Sequence, residues 1–167
     1  MSHAEKARNY FGQKFHCSQA VLASFAEDLG LTEEQALKLG GCFGAGMCKG
    51  EVCGACVGAL MVLGMKFGQY EIEDRESRVK TNALTERFLD EFGKTNGSYL
   101  CKELLNCDVA TEAGRKYAST YNNCSHNIIE QRIGSNIIAC YNLSHGANGR
   151  HHIKPLCWQT TQGIQNV

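Results

Sequence analysis

The chain has 167 residues, ten of them cysteine and one proline, and its seventeen Lys and Arg balance seventeen Asp and Glu. That length suits one domain burying a single core unaided, and a zero net charge supplies no field favouring nucleic acid or an anionic membrane surface. The N-terminal MSHAEKARNYFGQKF has no apolar signal segment, so the expected location is cytoplasmic. In that reducing setting thiols serve metal ligation or redox chemistry more often than structural cross-links.

In chain order, Ala4 to Lys14 reads as a short polar helix. Cys17 to Leu29 places Cys17, Ala20, Val21, Ser24, Phe25 and Leu29 on one side at helical spacing, so Cys17 starts a core-facing stripe. Gly30 is placed to stop that helix, and Thr32 with Gln35 makes a capping-box pattern for the next. Residues 40–68, GGCFGAGMCKGEVCGACVGALMVLGMKFG, then hold four cysteines and nine glycines. Within them Val52 to Phe67 reads as a helix apolar on every side, hence central. Its longest uncharged stretch, Val52 to Met65, is too short to span a bilayer, which argues against membrane insertion. Gly54 and Gly58, beside Ala55 and Ala59, leave a smooth face that another backbone can approach closely.

Residues 72–94 form the plainest amphipathic helix, with Ile72, Val79, Ala83, Leu84, Phe88 and Phe92 expected inward between charged turns that form a solvated face. Ser98 can cap a short helix through Cys101 to Leu105, and Asp108 or Thr111 another through Tyr121. A last helix is expected around Cys124 and Ile128. Alternating β-branched runs are scarce. The prediction is an all-α, compact single-domain bundle of about seven helices around the glycine-rich central one. After Glu130 the chain has no Asp or Glu and becomes rich in Gly, Asn, His and Gln. The expected division is therefore a cysteine-bearing helical domain over 1–132 and a divergent extension over 133–167.

Cys53-Gly54-Ala55-Cys56 is a CxxC at the predicted start of a buried helix. Unpaired N–H groups there favour negative charge, which would lower a thiol's pKa and make Cys53 an attacking thiolate, able to open a disulfide or hold a soft metal. Cys56, or a cysteine brought near by folding, would resolve the intermediate. A thioredoxin reading needs a βαβ context that the chain does not show, and zinc-finger spacing needs a second CxxC or an HxxxH that is not present. The glycines follow no predicted strand and include no GxxxxGK[ST], so a phosphate-cradling loop is a weak reading. Any one of these cysteines can equally be a small buried hydrophobe.

The run from Cys53 to Gly58 fits CGAxxG. With Cys17 in HCSQAVL before it, and Cys101 in CKELLNCD and Cys124 in NNCSHNII after it, the chain resembles the C_GCAxxG_C_C family over roughly residues 4–130. The resemblance implies a small helical protein of bacterial or archaeal type. It also implies redox activity, which for the family is itself inferred from its cysteines. It nominates Cys17, Cys53, Cys101 and Cys124, while Cys42, Cys48, Cys56 and Cys107 stand outside the shared pattern.

Three functions follow as alternatives. The first is a thiol–disulfide oxidoreductase or electron-transfer protein using Cys53, Cys56, Cys17, Cys101 and Cys124, with a redox partner protein or a small thiol as its counterpart. The second is a metal or iron–sulfur protein in which Cys17, Cys53, Cys101 and Cys124 converge as four thiolates on zinc or a cluster. The third is a non-catalytic helical interaction module, with a homodimer as the expected assembly, whose cysteines fill the core. His16 beside Cys17 and His126 beside Cys124 read as surface residues flanking helices more readily than as nitrogen ligands. His145, His151 and His152, with Cys140 and Cys157, are too irregularly spaced for a designed metal site.

Overall fold

The structure is a computed structural model and describes residues 1–120. Seven α-helices form: α1 His3–Gly12, α2 Cys17–Ser24, α3 Glu33–Gly40, α4 Gly54–Phe67, α5 Arg75–Asn96, α6 Cys101–Leu105 and α7 Glu112–Thr120. Among the described residues no strand forms, and an isolated antiparallel bridge pairs Val52 with Leu100. The all-α architecture expected from the sequence is the one observed. Cys124, His126 and everything beyond lie outside the described residues.

Local chemistry explains most helix ends. Ser2 and Glu5 close a capping box on α1, and Thr32 and Gln35 close the one anticipated for α3. Asp74 caps α5 by accepting the Ser77 N–H at 3.0 Å, and Thr111 rather than Asp108 caps α7 through the Gly114 N–H. The stripe expected to run unbroken from Cys17 to Leu29 instead breaks after Ser24. There the Ser24 hydroxyl turns back to donate to the Val21 carbonyl at 2.7 Å, a local bond that competes with the helix ladder. A short 3₁₀ turn over Glu27–Leu29 follows, and Gly30 ends it at φ 68°. Across this break His3 clasps the N-terminal helix to the core. Its ring stacks on Phe25 with centroids 4.0 Å apart, Nδ1 meets the Ser24 carbonyl at 2.7 Å, and Nε2 meets Asp28 at 3.1 Å.

α2 lies between α1, α3 and α4 and makes the most extensive contacts of any helix. Its Val21 and Leu22, with Phe25 just beyond its end, pack against Ala55, Ala59, Val62 and Leu63 of α4 in one core, closed on the far side by Phe88 and Phe92 of α5. The glycine face works as the sequence suggested. A side-chain carbon at Gly58 would come within 2.8 Å of the Ser18 carbonyl oxygen and 3.0 Å of the Val21 Cβ, so the two helices approach at a distance only glycine permits.

The expected inward stripe of the fifth helix holds only in its second half. Phe88 and Phe92 are buried, whereas Val79 is 68% exposed, Ala83 is exposed, and Ile72 lies before the helix at 90% exposure. In this first half it is Lys80 that meets α4, its ammonium 4.5 Å over the ring of Phe67 at the end of that helix. Among the described residues no helix is long and apolar enough to cross a membrane.

Candidate functional site

Three cysteines meet where α2 and α4 begin. Cys17 is the first residue of α2, and Cys53 occupies the N-cap of α4, with Cys56 one turn inside. The Cys17 and Cys53 thiols are neighbours that shift each other's ionisation, and Cys56 in turn shifts that of Cys53. Exposure falls along this series: Cys17 is half-buried, Cys53 is 7% exposed and Cys56 is 0% exposed. No disulfide joins any two of the described cysteines.

Gly54 makes the contact between the helices possible. A side-chain carbon there would sit 2.6 Å from the Cys17 sulfur and 2.6 Å from the Phe43 carbonyl oxygen. The CGAxxG run is thus three spatial requirements in succession: a sulfur at the helix start, room for a second sulfur beside it, and at Gly58 room for the backbone of α2.

Backbone amides complete the surroundings. The Ala45 and Ser18 N–H groups donate to the Cys17 sulfur, and the Ala55 N–H donates to that of Cys53, where no oxygen side chain caps α4. Ala45 opens a left-handed turn that the glycine count alone did not reveal. Ala45, Gly46, Met47 and Cys48 have φ of 52°, 59°, 57° and 59° in succession. Each non-glycine residue in that region costs about 1–2 kcal/mol, so this turn is a strained one. Strain of this kind collects at functional positions. Only the short glycines at 44 and 46 hinted at such a turn, and nothing in the sequence pointed to Ala45 as an amide donor.

The electrostatics reverse one expectation. A helix start was expected to lower the pKa of Cys53, but its thiol is held well above the ordinary range. The hydrogen bond with Cys17 pulls it down and the Ala55 N–H helps, yet the hydrogen bond with Cys56, burial and charge repulsion from Cys56 outweigh both. Cys17 is also pushed well above its usual value, first by its hydrogen bond with Cys53 and then by burial, against the smaller pull of Ala45 and Ser18. Two sulfurs in contact share a coupled titration, and the second proton leaves against the charge of the first.

The other nominated cysteines are placed as follows. Cys101 is buried and begins α6, with its Cβ beside Gly46. It flanks the Val52–Leu100 bridge, where its N–H donates to the Glu51 carbonyl at 2.7 Å while that of Cys53 donates to the Tyr99 carbonyl at 2.8 Å. Cys124 lies outside the described residues. Cys42 and Cys48 are exposed, and Cys107 is half-buried with its thiol 3.7 Å from the Gly114 carbonyl. His16 is an exposed N-cap of α2 whose ring lies over the Gly44 backbone.

Among the described residues no three or more His, Cys, Asp or Glu side chains are grouped as a metal site. Of the proposed tetrathiolate, Cys17 and Cys53 touch and Cys101 stands across the bridge. The fourth member, Cys124, lies outside the described residues.

The fold and this trio define an all-α protein with buried thiols gathered at helix starts. The family model described as "Putative redox-active protein (C_GCAxxG_C_C)" matches residues 15–133, and the chain belongs to that family. No curated protein and no solved structure matches the chain.

Proposed function

We propose that this protein is a thiol–disulfide redox protein in which Cys17 and Cys53 pass between dithiol and disulfide. The observation that carries the reading is the packing of the Cys17 sulfur, at the start of α2, against Gly54, the residue that follows Cys53 at the start of α4. In the forward direction an external disulfide RSSR accepts two electrons. One protein thiolate attacks it and expels RS⁻, the second attacks the resulting mixed disulfide and expels the other RS⁻, and the two released protons complete two RSH.

The raised thiol pKa values shape this chemistry. At neutral pH little Cys17 or Cys53 thiolate is present, so an unconnected electrophile reacts slowly, whereas neighbouring sulfurs react through proximity. A reduced form without thiolate stabilisation lacks the feature that makes some dithiols strong oxidants. The counterpart that best suits a recessed site is a small thiol or disulfide, or a partner protein offering one at a protruding loop.

The test is to treat the reduced protein with glutathione disulfide, block the remaining thiols and map the linkages by mass spectrometry. A Cys17–Cys53 linkage in folded protein is expected. Folded protein that never forms a linkage involving either sulfur overturns the proposal.

A further inference from the structure

We infer that Cys56 is the inner acceptor of a three-sulfur relay, so that a disulfide formed at Cys17–Cys53 moves inward to Cys53–Cys56 and restores the Cys17 thiol. This inference rests on the redox reading of the same site. It adds a residue that is an unspecified position of CGAxxG, and it assigns an order to the three sulfurs.

Two observations carry it. First, Cys53 stands between the other two, with the Cys17 sulfur packed against the adjoining Gly54 and Cys56 one turn further along α4, so it is the sulfur common to either possible disulfide. Second, exposure decreases from Cys17 through Cys53 to Cys56, which is fully buried. An external disulfide therefore meets Cys17 first and Cys56 last. The helix start supplies the geometry for the second linkage, because Cys53 at the N-cap and Cys56 at the third helical position lie one turn apart on α4.

The inward step is an exchange that needs no added oxidant. The Cys56 sulfur attacks the Cys53 sulfur, the Cys17–Cys53 bond breaks as the Cys53–Cys56 bond forms, and the proton lost by Cys56 ends on Cys17. One disulfide and one thiol enter and leave the step. The earlier step, which forms Cys17–Cys53, uses the small external disulfide of the proposed function. After transfer the oxidised pair is sealed in the core, and Cys17 can react again.

The experiment uses the full chain, reduced and then treated with glutathione disulfide, quenched in acid at intervals and mapped after alkylation. Wild type is expected to show Cys17–Cys53 early and Cys53–Cys56 later, with Cys17 regaining its reactivity towards N-ethylmaleimide. Cys17→Ser should form Cys53–Cys56 at least about tenfold more slowly, because its proximity-driven first step is gone. Cys56→Ser should stop at Cys17–Cys53, and Cys56→Ala serves if the serine is not tolerated in the core.

Wild type that accumulates Cys17–Cys53 while Cys56 stays a thiol overturns the relay and leaves the proposed function standing. So does Cys53–Cys56 forming equally fast in Cys17→Ser. A folded Cys56 variant that forms no Cys17–Cys53 linkage removes the dithiol reading itself, and the relay with it.

Discussion

The sulfur of Cys17 rests where a side chain on Gly54 would have to be: a carbon built at that glycine falls 2.6 Å from it. The first helix of the site and the start of the second are thus fitted together through a missing methyl group. The same carbon would meet the Phe43 carbonyl oxygen at 2.6 Å, and that backbone atom cannot rotate aside.

Gly54→Ala should therefore cost about 1–3 kcal/mol of stability by overpacking and should slow formation of the Cys17–Cys53 linkage. Gly58→Ala, facing the Ser18 carbonyl at 2.8 Å, should cost a similar amount while leaving the sulfur contact in place. Urea titration measures the first effect and linkage mapping separates the two variants.

Stability should fall as pH rises above the ordinary thiol value of about 8.5. In the unfolded chain Cys17 and Cys53 lose their protons there, whereas the folded state holds both well above it. The folded protein then binds more protons than the unfolded one, so its advantage is full below that pH and is lost as pH climbs through the folded-state values. Tyr10, raised by burial and by Glu33, adds a slope of the same sign at higher pH. Urea midpoints between pH 7 and 10 should decline in wild type and less steeply in Cys17→Ala, with the remaining decline belonging to Tyr10 and Cys53.

Cys48→Gly should stabilise the protein by roughly 0.5–1 kcal/mol, since the left-handed side-chain clash it removes outweighs the entropy it returns to the unfolded chain. The residue is exposed and has φ 59°, so little packing is lost. Cys48→Val should do the reverse. Thermal unfolding of the pair tests whether the turn is strained.

Thr32→Ala should cost about 1 kcal/mol by removing the α3 cap, which Thr32 makes with the Gln35 N–H at 3.2 Å. Linkage formation at the cysteines should not change. This variant separates a general loss of stability from damage to the site.

Much of this molecule could be read from its residues. Thr32 with Gln35, Gly30, and the Phe88 and Phe92 pair carry local signals, and each occurs where the pattern put it. The family spacing singled out Cys17 and Cys53, and folding brings their thiols together. Periodicity failed at Ile72, Val79 and Ala83 because it shows which side chains share a stripe and not which face the tertiary fold covers. The ionisation of Cys53 was misjudged for a related reason. A helix start predicts the amides around a sulfur, but the neighbouring thiols and the burial that outweigh them are products of the tertiary fold. The left-handed turn at Ala45–Cys48 runs largely through residues that do not favour it, so no residue preference could announce it.

The bridge between Val52 and Leu100 ties the backbone entering α4 to the backbone entering α6. The amide of Cys53 hangs from the Tyr99 carbonyl, and Glu51 holds the amide of Cys101 in return. The main chain at Cys53 is thus anchored to the segment that leads into the sixth helix, and the central sulfur takes its footing from residues far along the chain.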